Sequence, residues 1–149
     1  MTHTEVESVK VGSGQLRGAL YTELEESGPF SAASGHLLKF HGIYQQDDRD
    51  QRGGLARAKL ELAYSCMVRC SVPGGVLTSD QWFEIDRLAT EVADGRLRLT
   101  TRQGLQYHFV HKGDLKPLIS SLNAGLVTTY AACGDVVRNV MVTSAPERG

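Results

Sequence analysis

The sequence has few of the residues that build covalent frameworks or rigid turns: three cysteines and four prolines occur in 149 residues. An odd, sparse set of cysteines argues against a disulfide framework. No stretch is long and apolar enough to span a bilayer. The first residues also lack the basic segment and apolar run of a secretory signal. These absences predict a cytosolic protein with no membrane partner.

Charge of one sign is not in excess either, since the net charge is -1 and the pI is about 6.5. Overall charge therefore gives no reason to expect a nucleic-acid partner. Hydrophobic residues make up 41% and charged residues 22% of the chain, as in an ordinary globular protein. The length fits one domain, or one domain with an extended arm. Any electrostatic function must come from the placement of individual charges.

The chain up to residue 65 shows little regular periodicity. A short helix is predicted from apolar residues at helical spacing, namely Leu16, Ala19, Leu20 and Leu24. Residues 45–54 are rich in charge and amides, and their composition alone favours an exposed loop. Residues 1–65 are therefore predicted to be an N-terminal arm with a short helix.

From residue 66 onward, apolar residues follow the periods of strands and helices. The pattern predicts four strands, at residues 66–72, 96–100, 105–110 and 126–130. Two helices are predicted, one begun by a capping box of Thr78 and Gln81 and one with Leu115, Leu118, Ile119 and Leu122 facing the core. The order strand–helix–strand–strand–helix–strand is that of a split βαβ unit. The predicted class is α+β, with a ferredoxin-like half-domain at 66–132 after the extended arm.

The same alternation assigns side chains to the two faces of the sheet. The apolar positions predicted to meet in the core are Trp82, Ile85, Leu88, Ala89 and Val92 of the first helix and Leu97, Leu99, Leu105, Tyr107 and Phe109 of the strands. The open face then carries Arg69, Arg98, Gln106 and His108, with Arg102 on the adjoining turn. No Asp or Glu occurs in these strands to neutralise the arginines. The forked N–H groups of an arginine guanidinium match the oxygens of a carboxylate or of sulfite, so an anion site is predicted there.

Two other interpretations of this face stay open. An exposed sheet face is often simply polar and solvated, and a single histidine such as His108 is more often a hydrogen-bonded residue than a catalytic one. An open ferredoxin-like sheet can also bind single-stranded RNA. Against RNA, Tyr107 and Phe109 are assigned to the helix-covered face, and no RNP-type motif occurs.

The cysteines Cys66, Cys70 and Cys133 receive no ligand role. Cys66 and Cys70 lie in a predicted strand, where two small buried hydrophobic residues are favoured over a metal site. Cys133 has no thiol neighbour in the sequence and no nearby histidine. No metal ligand is predicted.

Four blocks of the sequence resemble, in order, blocks of the nitrite/sulfite reductase family, and of its sulfite reductase haemoproteins in particular. They are LLKFHGIYQQDDRD at 37–50, VRCSVPGG at 68–75, RLTTRQGLQYH at 98–108 and VRNV at 137–140. The resemblance extends from about residue 15 to the C-terminus. It overrules the loop interpretation of 36–54, since that region of the family is an ordered arm packed on the catalytic core.

The resemblance implies an oxidoreductase that reduces sulfite to sulfide, or nitrite to ammonia, at a sirohaem joined through a cysteine thiolate to a 4Fe–4S cluster. Arg69 and Arg138 match the catalytic arginines that reach the substrate anion. The residues that match those holding the sirohaem and its carboxylates are Arg102, Gln106, His108 and, less closely, Arg98. Fixed cations would stabilise the charge of bound sulfite as its oxygens are protonated and lost. The implied partners are sulfite or nitrite and an electron donor, either ferredoxin or a flavoprotein reductase.

Two features of the family do not occur in this sequence. The cluster cysteines of the family lie in paired motifs of its C-terminal half, and two substrate-site lysines also belong after residue 149. We therefore expect residues 133–149 to begin a second, sirohaem-binding domain, and the chain to be a fragment, a truncated gene product or half of a split enzyme.

The expected function is the N-terminal portion of an assimilatory sulfite reductase that works with a C-terminal half. The block from His41 to Asp50 resembles the sulfite branch more than the nitrite branch. A nitrite reductase portion is one alternative, and a non-catalytic module that binds an anion or a tetrapyrrole is the other.

Overall fold

The computed structural model describes residues 4–134 and 137–143. Its helices are α1 (Glu5–Gly12), α2 (Leu20–Glu25), α3 (Ala32–Leu38), α4 (Arg49–Ala58), α5 (Ser79–Val92) and α6 (Leu115–Ala124). Its strands are β1 (Ile43–Asp47), β2 (Tyr64–Cys70), β3 (Arg98–Leu99) and β4 (Leu105–Val110). Within this part of the chain, no helix has both the length and the apolar character needed to cross a membrane.

The four strands form one antiparallel sheet in the order β1-β2-β4-β3. Side chains of α5 and α6 join those of the central strands in a single buried cluster that includes Val68, Ile85, Tyr107, Val110 and Leu118. The hydroxyl of Tyr107 donates to the carbonyl of Ile85 at 3.1 Å, so the one polar atom of this buried ring is paired. The predicted α+β class and the two core helices are confirmed.

The predicted capping box of α5 is also confirmed. The Thr78 hydroxyl accepts from the Gln81 backbone N–H at 3.2 Å, and the Gln81 side chain accepts from the Thr78 N–H at 3.0 Å. The Gln81 amide also donates to the carbonyl of Gly125 at 3.1 Å. The cap therefore connects the start of α5 to the end of α6.

The predicted strand at 126–130 is wrong. In place of a strand, Thr128 makes an isolated bridge to Ser71 at the end of β2. The same edge of β2 is occupied by β1, which pairs with it from Ile43 opposite Val68 to Asp47 opposite Tyr64. Little of this edge is left for a further strand, so the returning chain pairs with it only at Ser71, directly after β2.

The loop interpretation of residues 45–54 is also wrong, because this run forms the end of β1 and the start of α4. The Asp48 carboxylate caps α4 by accepting from the N–H groups of Asp50 at 2.9 Å and Gln51 at 3.4 Å. The short helix expected around Leu16 to Leu24 begins at Leu20. The sheet includes strands on both sides of the predicted boundary at residue 65, since β1 belongs to it. The predicted domain boundaries stay a prediction.

The predicted face of Phe109 is wrong because β4 is irregular. Phe109 has a φ of 58° and is 49% exposed, while the next residue, Val110, is fully buried. The register of β2 against β4 shifts between Cys66 and Val68, which moves the following side chain of β4 into the core. Such a bulge leaves no trace in an alternation pattern.

Two further core predictions are wrong. Leu99 is 74% exposed, because β3 is an edge strand of only two residues and its side chain lies outside the helix-covered core. Trp82 is 43% exposed, because it lies in the first turn of α5, before the stretch that contributes Ile85 and Leu88 to the core.

Gly42 fixes β1 against the strand that carries the first candidate arginine. Its carbonyl accepts from the N–H of Arg69 at 2.8 Å. Its φ is 78°, and a Cβ added there would lie 2.2 Å from the carbonyl oxygen of Thr129 and 2.8 Å from that of Arg69. Only glycine combines this backbone conformation with so close an approach.

We expect Gly42→Ala to lower the free energy of unfolding by about 3 kcal/mol, because backbone strain and overlap with two carbonyls add together. Urea denaturation followed by circular dichroism measures the change. Gly54→Ala is the matched control, since an added Cβ meets nothing within 4 Å in the interior of α4. That control should stabilise the chain by about 1 kcal/mol. Equal effects of the two substitutions would contradict the assigned role of Gly42.

Candidate functional site

Three of the predicted arginines line one small cavity. Arg69 comes from β2, Arg102 from the turn between β3 and β4, and Arg138 from the segment 137–143. The cavity has a volume of about 30 Å³ and is completed by Cys70, Thr100, Gly104 and Asn139. No carboxylate of the described ranges lines it or forms an ion pair with these arginines. The cavity therefore gathers positive charge without an internal counter-charge.

Arg69 is held in place by neutral acceptors. It lies opposite Gln106 across β2 and β4, and an amide is oriented by its hydrogen-bonding partners. With its oxygen toward Arg69, Gln106 accepts from Nη2 at 2.6 Å and from Nε at 3.0 Å. Arg69 Nη1 donates to the carbonyl of Ala132 at 3.3 Å. One N–H on each terminal nitrogen is left without a partner among the described residues, so this guanidinium is both oriented and available.

His108 continues this row of polar groups. Its Nε2 lies 3.4 Å from the side-chain amide of Gln106, whose nitrogen faces it when the oxygen faces Arg69. The pKa of His108 is lowered, first by burial and then by the positive charges of Arg98 and Arg69, while Asp94 acts in the opposite direction. His108 is therefore neutral at pH 7 and accepts at Nε2.

Arg98 and His108 open onto a second and larger cleft of about 580 Å³. The end of β1 and the start of α4 form its other wall with residues that include Asp47, Asp48, Arg49, Asp50 and Arg52. Asp47 accepts from Arg52 Nε and Nη2, both at 2.6 Å, which lowers the pKa of Asp47. Carboxylates therefore balance the arginines of this cleft, although β2, β3 and β4 contain none.

The predicted site residues are thus divided between two neighbouring places. The small cavity brings together Arg69, Arg102 and Arg138, and the larger cleft brings together Arg98 and His108. Gln106 is buried between them, since it is opposite both Arg69 and Arg98 in the sheet.

Asn139 lines the cavity but was not predicted as a site residue. Its Nδ2 donates to the carbonyls of Val72 at 2.8 Å and Arg102 at 2.7 Å, and its Oδ1 accepts from Ser71 Oγ at 3.0 Å. The signal that could have found it is its position directly after Arg138 in the fourth block. Its contacts attach segment 137–143 to the rest of the site.

The three cysteines are buried and free, and the predicted burial of Cys66 and Cys70 is confirmed. Burial raises the pKa of Cys66 to about 11 and that of Cys70 to about 12, so both thiols are protonated at pH 7. Burial likewise raises the pKa of Cys133. Within residues 4–134 and 137–143, no group of three or more His, Cys, Asp and Glu side chains is arranged to hold a metal ion.

Known proteins of one family are similar to this chain. Residues 61–125 match the nitrite/sulfite reductase ferredoxin-like half domain. The sulfite reductase (NADPH) hemoprotein beta-component of Oceanobacillus iheyensis is 50% identical over 146 residues, which are 97% of this chain and 25% of that protein. The same component from Xylella fastidiosa strain M23 is 46% identical over 148 residues, or 98% of this chain and 26% of that protein. This chain spans about a quarter of the length of these relatives.

A solved structure agrees on the fold. The Mycobacterium tuberculosis NirA protein has a TM-score of 0.75 and 21% identity to this chain, and the match covers 93% of this chain and 27% of that one. At this identity the likeness concerns the fold alone. Because the match covers 93% of this chain, it extends beyond residues 61–125. The family predicted from the four sequence blocks is confirmed, and residues 61–125 of this chain are a ferredoxin-like half domain of the nitrite/sulfite reductase family.

Proposed function

We propose that this chain is the part of a sirohaem-dependent assimilatory sulfite reductase that binds the substrate anion and part of the cofactor. The observation that carries the proposal is the cavity lined by Arg69, Arg102 and Arg138, with no carboxylate among the described residues that line it. Guanidinium groups match the oxygens of an oxyanion in charge and geometry. The names of the relatives favour sulfite over nitrite.

Arg69 and Arg138 are assigned to the substrate. Arg69 is fixed by Gln106 and the carbonyl of Ala132, so its remaining N–H groups need no reorganisation to meet an anion. Arg138 supplies a second cation from a different segment of the chain. As sulfite loses its oxygens as water, such fixed positive charges stabilise the negative charge that remains.

The remaining residues fit a sirohaem, whose rim carries carboxylates. Arg102 is exposed at the cavity, and Arg98 is exposed in the neighbouring cleft, so each can meet a carboxylate from solvent. Neutral His108 and Gln106 would contribute hydrogen bonds rather than charge. When bound, the group supplies the iron at which sulfite is reduced. Ligands for a 4Fe–4S cluster are expected from outside the described residues.

The proposal also includes a C-terminal region that carries the cluster cysteines, a cytoplasmic location and an external electron donor. Because the names of the relatives include NADPH, which delivers hydride, a flavoprotein reductase is favoured over ferredoxin as the donor. A non-catalytic module that binds an anion or a tetrapyrrole is the alternative, and the following measurements separate the two.

We expect Arg69→Ala and Arg138→Ala each to weaken sulfite binding by about tenfold, because each removes one charge-assisted contact. Titration of the chain with sulfite at low ionic strength, followed by NMR, measures the affinity. Arg57→Ala is the matched control, since it removes an equal charge from the exposed last turn of α4. If all three variants bind sulfite alike, the arginine face is only a solvated surface.

Arg102→Ala should act on the cofactor rather than on the anion. With the chain joined to the C-terminal region of the Oceanobacillus iheyensis relative, we expect less sirohaem per protein, seen as lower Soret absorbance. Arg69→Ala in the same protein should leave that absorbance close to the unmodified level and reduce turnover. Full sirohaem content in the Arg102 variant would show that the cofactor assignment is wrong.

The chain alone should not reduce sulfite with reduced methyl viologen as the donor, because the described residues offer no cluster ligands. The joined protein of the preceding experiment is the positive control. If the chain alone consumes more sulfite than a sample without protein, the proposal that the cluster ligands lie outside the described residues is wrong. A joined protein that holds sirohaem but shows no turnover would favour the non-catalytic alternative.

A further inference from the structure

The side chain of Asn139 joins three separate parts of the chain. Its two amide hydrogens go to the carbonyls of Val72 at 2.8 Å and Arg102 at 2.7 Å, and its oxygen accepts from Ser71 Oγ at 3.0 Å. It therefore contacts the end of β2, the turn between β3 and β4, and its own segment 137–143. All its donors are used.

These contacts specify an amide of this length. An aspartate would have the same shape, but it has no donor and would face two carbonyl oxygens. An alanine would leave both carbonyls without their partner. A glutamine is longer by one methylene and could not keep all three distances.

Segment 137–143 is held by polar contacts more than by burial. Val137 is 75% exposed, Val140 58% and Val142 52%, so their apolar surface contributes little to docking. Further attachments of this segment are hydrogen bonds as well. Gly74 N–H donates to the carbonyl of Val140 at 2.8 Å, and the Gln103 amide exchanges bonds of 2.8 and 3.0 Å with the backbone of Val142. Of these attachments, those of Asn139 lie nearest in sequence to Arg138.

We propose that Asn139 is a positioning residue for the bound anion, acting through its neighbour Arg138. By fixing the backbone that carries Arg138 to the end of β2, it holds that guanidinium at the same cavity as Arg69. Its bond to the carbonyl of Arg102 fixes the backbone of the third arginine relative to the same segment. The identity of the anion rests on the proposed function, whereas the docking of the segment does not.

Docking is tested without any anion. The N–H of Gly74 donates to Val140 of the segment, and the N–H of Val142 donates to Gln103. In Asn139→Asp both bonds should weaken, so hydrogen exchange of the two amides, measured by NMR, should become about tenfold faster. Asn123→Asp makes the same change on the exposed surface of α6 and should leave both rates unchanged. Circular dichroism checks that both variants are folded. Unchanged exchange in a folded Asn139→Asp chain would overturn the proposal.

Positioning is tested by a double-mutant cycle with sulfite as the ligand. Asn139→Ala should weaken sulfite binding about as much as Arg138→Ala, roughly tenfold, and should cause no further loss when Arg138 is already alanine. A purely structural role would lower affinity in both backgrounds, because binding to Arg69 would suffer as well. Additive losses would therefore overturn the positioning role alone. Failure of the unmodified chain to bind sulfite would overturn the proposed function, and the positioning role with it.

Discussion

The site depends on the bond between Arg69 and Gln106 across the two central strands. The sheet register places these residues opposite each other, and Gln106 is also opposite Arg98 of the edge strand. The buried amide accepts from two nitrogens of Arg69, so the guanidinium is oriented before any ligand arrives. Because its described partners are neutral carbonyl oxygens, the positive charge is hydrogen-bonded but not neutralised. A partly buried charge in that condition gains most from an external anion.

The same sheet face carries two clefts with different electrostatics. The cavity of Arg69, Arg102 and Arg138 is lined by cations and neutral groups, whereas aspartates from the end of β1 and the start of α4 also line the cleft of Arg98 and His108. The difference arises because the end of β1 and the start of α4 bring Asp47, Asp48 and Asp50 to the second cleft, whereas no carboxylate of the described residues lines the first. The charge of the cavity therefore favours a small oxyanion. The mixed charges of the cleft favour groups at the rim of a larger ligand.

Sequence patterns predicted the parts of this arrangement that follow from local rules. The period-two alternation placed Arg69, Gln106 and His108 on the open face, and the capping box located the start of α5. Sequence patterns could not predict α4, because this helix depends on a cap by Asp48 and lies in a run whose composition is typical of a loop. Nor could they predict the bulge at Phe109, which depends on pairing with a distant strand. Arg138 has no periodic context, and only the family resemblance identified it.

The two walls of the cavity differ in how firmly they are held. Arg69 stands on β2 between fully buried neighbours of the core, such as Val68 and Tyr107, so moving it requires opening the sheet. Arg138 stands on a segment attached by exposed and partly buried hydrogen bonds, each contributing about 1 kcal/mol. That wall therefore opens at a lower free energy than the whole domain unfolds. An anion that bridges both walls binds only the docked state, so by linkage its binding energy also stabilises the docking of segment 137–143.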